Sequence, residues 1–416
     1  MRNKRKLLFL AIFTLPLLAV LSQCSLFGKK ETDPRGLLYA GSSTCIKCHS
    51  SIYSDYLHTA HFSTSQLADK HTVSGSFKPG SNEYLFSNNV KVVMKKDAGG
   101  LYQVAYENGK KVNQQRFDIA IGGVKAETYL YWKGNRLYQL PISYFKTLHK
   151  WTNSPGYDST SADFSRLITV GCLECHASYI EANNPTTDPH TNVNYSKNTL
   201  ILGIDCERCH GPASDHVYYQ TTHPEDKTAQ HIITYASLTR AEKINMCTVC
   251  HSGSSGTVLR STFGFKPNDN LTDYKIEDMF QTTNPDKLDV HANQGRLLMT
   301  SKCFINSNMD CATCHNLHRN ERQQLTMYSQ KCMDCHSTAK HNFCPEYNKL
   351  GEAIKFNCID CHMPNKPSSL IAVGTGGKSK AVPYLVRDHH IAIYAEPIIQ
   401  ISTGSHNGQV VGKQNR

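Results

Sequence analysis

Fourteen of the 17 cysteines in this 416-residue chain fall into seven Cys-x-x-Cys pairs, and in every pair the next residue is histidine. Two thiols at this spacing, followed by an imidazole, could hold a metal, a redox disulfide or a covalent cofactor. In chain order, motifs 1 to 7 are Cys45/Cys48/His49, Cys172/Cys175/His176, Cys206/Cys209/His210, Cys247/Cys250/His251, Cys311/Cys314/His315, Cys332/Cys335/His336 and Cys358/Cys361/His362.

This motif is the attachment signature of c-type haem. Its cysteines form thioether bonds to one edge of the porphyrin, and its histidine binds the iron as proximal ligand. The alternatives are a disulfide framework, zinc ribbons and a thioredoxin-like redox site. Zinc ribbons have no use for an invariable following histidine, a redox site needs one copy, and a chain of this length needs no disulfides to compensate for a small core. We therefore predict seven covalently bound haem c groups.

The sixth ligand of each iron decides between electron transfer and catalysis. Fourteen histidines lie outside the motifs, enough to give every iron a second imidazole without requiring it. His318 lies three residues after His315, and on one helical face it cannot reach the far side of its own haem. We expect it to bind a neighbouring haem, and the same reasoning applies to His216 and His61. The methionines beside motifs are alternative distal ligands: Met246, Met309 and Met363.

The start of the chain predicts export. Basic residues precede an apolar run from Leu7 to Leu21, which is too short for a confident membrane span and suits a signal peptide. The run ends at Leu21-Ser22-Gln23-Cys24, which resembles the lipobox of bacterial lipoproteins, although Gln23 replaces the usual small residue. We predict a signal peptide at 1–23, lipidation of Cys24 and a tether over 24–40. An ordinary signal peptide and an uncleaved anchor are the alternatives.

This reading places the protein in the bacterial envelope, as a periplasmic or surface-facing lipoprotein held in the membrane by its lipid anchor. The formal charge of +11 does not indicate a nucleic-acid partner. Removal of the four basic residues of the signal leaves 41 basic and 34 acidic side chains, a net charge of +7. Each ferric haem contributes about −1 through its two propionates, which brings the loaded protein near neutrality.

The 122 residues between motifs 1 and 2 carry the period-2 alternation typical of strands. One hairpin is predicted from Leu101 to Phe117, with Asn108-Gly109 at its turn, and a second from Thr128 to Leu140. We predict a first haem segment at 41–76, a β insertion at 77–142 and a six-haem cytochrome region at 143–416. The expected fold class is a mainly α or irregular multihaem cytochrome c with stacked haems and a small antiparallel β insertion. Short helices are expected at Ala236–Cys247 and Tyr347–Phe356.

Several stretches resemble the multihaem cytochromes c related to the tetrahaem cytochromes of nitrifying bacteria and to hydroxylamine oxidoreductase. The segment with Gly122, Tyr129 and Leu140-Pro141 is similar to an insertion of envelope members of that group. The stretches that carry the resemblance are Thr44 to His61, Asp205 to Val217, His291 to His318, Cys358 to Pro364 with Asp388-His389, and Ile119 to Pro141.

The resemblance implies a packed array of haems and adds two distal candidates, His291 and His389, with His390 as the competitor of His389. It does not carry catalysis. Hydroxylamine oxidoreductase has eight haems and a tyrosine cross-link to its catalytic haem, whereas this chain has seven motifs. The related nitrite reductases use a proximal lysine, and no Cys-x-x-Cys-Lys occurs here. We therefore assign no catalytic residue.

The sequence favours an electron carrier whose redox partners are other cytochromes or quinol-linked complexes. Two alternatives remain open at this point. One is a reductase or oxidase acting on a small nitrogen or sulfur compound at one five-coordinate haem, and the other is a subunit of a conductive multihaem assembly. The two remaining cysteines of the mature chain, Cys303 and Cys344, could form a disulfide or stay as buried thiols, with a thiolate ligand the least favoured reading.

Overall fold

The computed structural model describes residues 32–86, 89–157, 160–183, 193–253, 256–277, 284–337, 343–376 and 381–394. All seven motifs lie within these ranges. The predicted signal peptide, Cys24 and most of the predicted tether lie outside them. No helix in these ranges is long and apolar enough to cross a bilayer.

The described helices are short because most of them are built around a motif and end with its histidine. Motifs 2, 3 and 7 lie in helices that stop at the proximal histidine, as does the longest helix, which carries motif 4 and begins with a capping box between Thr239 and Glu242. The α-helices are α1 Ser42–Cys45, α2 Ser50–Tyr56, α3 Val170–His176, α4 Cys206–His210, α5 Ser214–Thr222, α6 Arg240–His251, α7 Gln294–Met299, α8 Lys302–Ile305, α9 Leu325–Met333, α10 Tyr347–Leu350 and α11 Ile359–His362.

The strands of the described residues form antiparallel sheets. They are β1 Ser65–Leu67, β2 Glu83–Leu85, β3 Val90–Asp97, β4 Gly100–Glu107, β5 Lys110–Arg116, β6 Ile119–Gly122, β7 Ala126–Lys133, β8 Arg136–Gln139, β9 Ile142–Phe145, β10 Lys150–Asn153, β11 Ala177–Asn183, β12 Asn194–Leu202, β13 Gly256–Val258, β14 Lys275–Glu277, β15 Asn365–Val373 and β16 Val382–Arg387.

The first ten strands form two sheets that pack on each other. One sheet has the order β2-β3-β4-β5, and the other has the order β1-β6-β7-β9-β10 with β8 paired to β7. Both predicted hairpins are present, as β4–β5 and β7–β8. Asn108 and Gly109 both have positive φ, 49° and 78°, as a two-residue turn of this kind requires.

The largest cluster of buried apolar side chains lies between these two sheets. Phe117, Tyr129 and Trp151 contact one another there at ring-centroid distances of 4.6 to 6.2 Å. Gln103 of β4 joins the sheets, because its amide both donates to and accepts from the backbone of Ile142 in β9. This β core therefore forms independently of the motifs and gives them a rigid support.

The predicted fold class is wrong. The structure has 29% helix and 27% strand, with several antiparallel sheets, so it is not mainly helical. Strands also form outside 77–142: β1 precedes that interval, and β10 to β16 follow it. The reason is that alternation marks a strand only where one face is buried by protein. The β13 strand is exposed throughout, and β11–β12 and β15–β16 contain register shifts, so none of these hairpins alternates clearly.

Candidate functional site

Each motif is a single helical turn. In motifs 1, 5, 6 and 7 the backbone N–H of the histidine donates to the carbonyl of the first cysteine, at 2.8 to 3.0 Å. In motifs 2, 3 and 4 the same residues lie inside α3, α4 and α6. Positions i, i+3 and i+4 of a helical turn share one face. Both thiols and the imidazole therefore project to the same side, as attachment to one porphyrin edge demands.

The cysteines of the motifs differ in exposure, and Cys48 is not enclosed as a cofactor-binding residue usually is. Cys48, Cys172 and Cys335 are exposed, whereas the other eleven motif cysteines are half-buried. The reason for Cys48 is that residues 46–52 all lie on the surface of the fold. A porphyrin attached there would itself cover the sulfur, since the surrounding polypeptide does not. Haem attachment at Cys48 therefore stays a prediction from the spacing of motif 1, without support from burial.

Four of the predicted distal histidines face the proximal histidine of a motif that is distant in sequence. Their ring centroids are 6.0 to 6.4 Å apart, and in three pairs the rings are within 28° of parallel. The pairs are His49 with His216 at 6.4 Å and 17°, His251 with His61 at 6.3 Å and 73°, His210 with His318 at 6.0 Å and 5°, and His315 with His389 at 6.4 Å and 28°.

This spacing fits one iron between the two rings. A metal–nitrogen distance of about 2.0 Å on each side, plus roughly 1.15 Å from nitrogen to ring centroid, gives a centroid separation of about 6.3 Å. Direct ring stacking without an intervening atom would bring centroids to about 4.5 to 5 Å in the closest arrangements. The four pairs thus have the separation of two axial ligands on opposite faces of a haem.

The outer ring nitrogens of the predicted ligands support the same assignment. A metal-binding histidine usually donates its second N–H to an oxygen, which fixes the ring orientation. Four of them donate Nδ1–H to backbone carbonyls, which leaves Nε2 for the iron. These bonds are His210 to Ile233 at 2.9 Å, His216 to Gln230 at 2.7 Å, His362 to Ala392 at 2.9 Å and His389 to Arg387 at 3.1 Å.

Three further proximal histidines have their Nδ1 atoms beside side-chain oxygens. Sequence reasoning missed all of these second partners, since carbonyls, hydroxyls and amides carry no signal of their own. The contacts are His176 with Thr64 at 3.0 Å, His251 with Gln294 at 3.2 Å and His315 with Tyr328 at 3.2 Å.

Burial keeps the predicted ligands in the form that binds a metal. It lowers the pKa values of His61, His176 and His389 to about 4, so all three are neutral near pH 7. A neutral imidazole has the free nitrogen lone pair that iron requires. Large apolar side chains such as Ile46 and Phe356 are exposed beside motifs 1 and 7, where a porphyrin face would cover them.

His291 lies near motif 2. After burial, its charge makes the largest contribution to lowering the pKa of His176. The five predicted distal histidines thus lie against motifs 1 to 5, and none of those five faces His336 or His362. His318 faces His210 of motif 3 and not His315 of its own motif, which is the arrangement expected from helical geometry.

The motifs contact one another through their cysteines. In four pairs a shared hydrogen bond raises the pKa of one thiol and lowers that of the other. A thioether has no such proton, so what persists after attachment is the proximity of the two sulfurs. The pairs are Cys45 with Cys206, Cys175 with Cys250, Cys247 with Cys311 and Cys332 with Cys358.

Two further proximities complete a continuous array. Burial raises the pKa of Cys209 in motif 3 to about 12, and a charge on Cys250 in motif 4 adds to the increase. Cys332 in motif 6, whose pKa is raised mainly by its hydrogen bond to Cys358, also senses a charge on Cys314 in motif 5. The motifs therefore follow the order 1, 3, 4, 5, 6 and 7, with motif 2 as a branch on motif 4.

A buried ion-pair cluster fixes motif 1 against motif 3. The Arg35 guanidinium is 4% exposed and contacts Asp33, Asp205 and Glu207 at 2.8 to 3.0 Å. Glu207 also accepts hydrogen bonds from the backbone N–H groups of Ala40, Gly41 and Ala213. Since Glu207 is inside motif 3 and Gly41 precedes α1, the cluster sets the distance between the two motifs.

Cys303 and Cys344 are free thiols in the structure. Burial raises the pKa of Cys303, which lies close enough to Cys335 to sense its charge. Among the described residues, no group of three or more His, Cys, Asp or Glu side chains could by itself hold a metal ion.

Motifs of this type and facing imidazoles are features of c-type cytochromes. Residues 143–211, which contain motifs 2 and 3, match the family model described as cytochrome c554 and c-prime. No curated protein and no solved structure matches the chain. The family match supports a c-type cytochrome with covalently bound haem c and a haem-based role in electron transfer.

Proposed function

We propose that the chain is a heptahaem cytochrome c that carries single electrons along a branched array in the bacterial envelope. The observation that carries this proposal is the set of four imidazole pairs at 6.0 to 6.4 Å, each joining a motif histidine to a histidine from elsewhere in the chain. When bound between two imidazoles, a haem iron is six-coordinate and low-spin and exchanges electrons without binding substrate. Four of the seven sites are thus suited to electron transfer.

The contacts between motifs supply the path. Sulfur atoms within hydrogen-bond distance bring the attached porphyrin edges together, and every motif has at least one such neighbour or a neighbour within electrostatic reach. The polypeptide keeps these distances through buried elements such as the Arg35 cluster. Its proximal and distal histidines hold the irons rigidly, which lowers the reorganisation that each electron transfer requires.

The anchoring part of the proposal rests on the sequence. The segment ending in Cys24 supports export, lipidation and attachment to an envelope membrane, with other cytochromes or quinol-linked complexes as redox partners. If Cys24 is lipidated, Cys24→Ala should release the protein from membranes or block its processing, and labelled fatty acid should enter only the unmodified chain. Membrane retention without incorporation of label would contradict lipidation.

The haem content is tested by intact-mass measurement together with spectroscopy. Seven attached groups add about 616 Da each, or about 4.3 kDa in total. We expect at least six low-spin ferric haems by electron paramagnetic resonance and negligible turnover of nitrite or hydroxylamine. Fewer than seven haems in fully matured protein would refute the heptahaem assignment. A high-spin haem that binds cyanide, together with substrate turnover at an enzyme-like rate, would show that the protein is an enzyme.

A further inference from the structure

His390 follows the predicted ligand His389 directly, and its own ring is prepared in the same way. Its Nδ1 lies 2.7 Å from Thr300 Oγ1. Its other ring nitrogen, Nε2, has no hydrogen-bond partner among the described residues, although the side chain is half-buried. A fixed Nδ1 and an available Nε2 are the features that the structure shows for His389 and the other predicted ligands.

The backbone around His390 is held from both sides. The His390 N–H donates to Asp388 Oδ1 at 2.8 Å, and its carbonyl accepts from the Tyr394 hydroxyl at 2.7 Å. Asp388 is 1% exposed and pairs with Lys366 at 2.8 Å. Ser301 Oγ accepts from the N–H of Ile391, which clamps the turn to the end of α7. The ring orientation is therefore determined by a buried network and not by a mobile surface side chain.

The two histidines cannot serve the same iron from this turn. The ring of His389 faces His315 at 6.4 Å and so occupies the distal face of motif 5. Adjacent residues on a non-helical backbone project in different directions, so the Nε2 of His390 is directed elsewhere. The same segment runs along motif 7, because Asp388 N–H donates to Pro364 and Ala392 N–H donates to His362.

We infer that His390 is an axial ligand of a second haem, at motif 6 or motif 7, and that His389-His390 joins this haem to that of motif 5. The inference rests on the proposed heptahaem function. Motifs 6 and 7 are the C-terminal pair joined by Cys332 and Cys358, and the five predicted distal histidines lie against motifs 1 to 5. A tandem of two ligands therefore couples the end of the array to its middle through one peptide bond.

The test compares His390→Ala with His223→Ala in the haem-loaded protein. His223 is a matched control, since its Nδ1 also contacts a carbonyl, that of Tyr219 at 3.1 Å, but its ring is exposed and stacked on that tyrosine. We expect His390→Ala to convert one of seven low-spin haems to high-spin, with recovery on addition of imidazole, and His223→Ala to convert none. The double variant His389→Ala/His390→Ala should convert two. No conversion in His390→Ala, or one in the double variant, would overturn the inference.

A second variant guards against failure to fold. His390→Met should keep all haems low-spin, raise the reduction potential of one haem and add a methionine-to-iron charge-transfer absorption. A purely structural role for His390 would produce no such absorption, and its absence in a folded variant would overturn the inference. Intact mass separates this outcome from failure of the proposed function, because a chain with fewer than seven haems contradicts the heptahaem assignment whatever His390 does.

Discussion

The direction of each imidazole is set by the oxygen that contacts its outer nitrogen. His210, His216 and His389 all donate Nδ1–H to backbone carbonyls, and a carbonyl cannot reverse the tautomer as a hydroxyl can. A fixed tautomer presents Nε2 permanently to the metal and increases the basicity of the ligand. The identity of the iron that each histidine binds is thus decided by the fold and not by distance along the sequence.

At this scale, the structure predicts which iron opens when His318 is lost. His318→Ala should remove the second imidazole of motif 3, since its ring is 6.0 Å from that of His210, and leave motif 5 unchanged. Electron paramagnetic resonance should show one new high-spin haem. In a background with Cys206→Ala and Cys209→Ala, where motif 3 carries no haem, the same substitution should add no high-spin signal. A new signal in that background would mean that His318 binds another iron.

Among the elements, the turn at Gly203 positions a distal ligand. Gly203 has a φ of +72°, and a Cβ at this position would lie 2.6 Å from the carbonyl oxygen of Phe62. The next residue, Ile204, donates its N–H to the carbonyl of His61 at 2.8 Å. The end of β12 therefore holds the backbone of His61 against motif 4, and only glycine allows the two segments to approach so closely.

Gly203→Ala should destabilise the protein by about 3 kcal/mol, from left-handed backbone strain and the contact with Phe62, and alter the low-spin signal of motif 4. Gly134→Ala is the matched control, because Gly134 also has positive φ but a Cβ there would have nothing within 4 Å. It should cost about 1 kcal/mol and leave every haem signal unchanged. Equal effects in the two variants, measured by urea unfolding and resonance spectroscopy, would contradict a positioning role for Gly203.

The Arg35 cluster is the second element whose removal has a calculable effect. Arg35→Met leaves the buried carboxylates of Asp205 and Glu207 without their cation and should destabilise the protein by about 3 to 5 kcal/mol. Arg116→Met breaks the pair with Asp118, in which Arg116 is 59% exposed, and should cost less than about 1 kcal/mol. Denaturant midpoints of the two variants give the comparison, and a small effect of Arg35→Met would show that the cluster is not a structural support.

For the whole molecule, the contacts make motif 4 the junction of the array. Cys250 lies against Cys175 of motif 2 and near Cys209 of motif 3, and Cys247 lies against Cys311 of motif 5. Motif 2 contacts the array only through motif 4 in the contacts between cysteines described above. Loss of one haem should therefore matter more at the junction than at the branch.

This difference can be measured with a photosensitiser on Ile52→Cys, beside motif 1, in a Cys303→Ser/Cys344→Ser background. In the unmodified array, injected electrons should spread to motifs 5 to 7. Cys247→Ala/Cys250→Ala should confine them to motifs 1 and 3, whereas Cys172→Ala/Cys175→Ala, which removes only motif 2, should leave the spread unchanged. Undiminished spread without motif 4 would mean that the array has another connection.

How much the sequence reveals differs between the site and the fold. The motifs and hairpins are visible because they depend on local spacing, and the reach of His318 follows from helical geometry. The partner of each distal histidine and the exposure of Cys48 are not visible, because they depend on contacts between distant segments, such as Gly203 with Phe62. The fold class was wrong because exposed hairpins such as β13–β14 bury no alternating face, so their pairing leaves no period in the sequence.

The angle between the rings of His61 and His251 gives motif 4 its own magnetic signature. Parallel imidazole planes donate into the same iron d orbital and split the two orbitals of π symmetry. The 73° angle at this site spreads the donation over both orbitals and leaves them nearly equal in energy, whereas the other three pairs lie within 28° of parallel. The ferric junction haem should therefore show a more axial g tensor than the other three, so that its oxidation state can be followed separately during a redox titration.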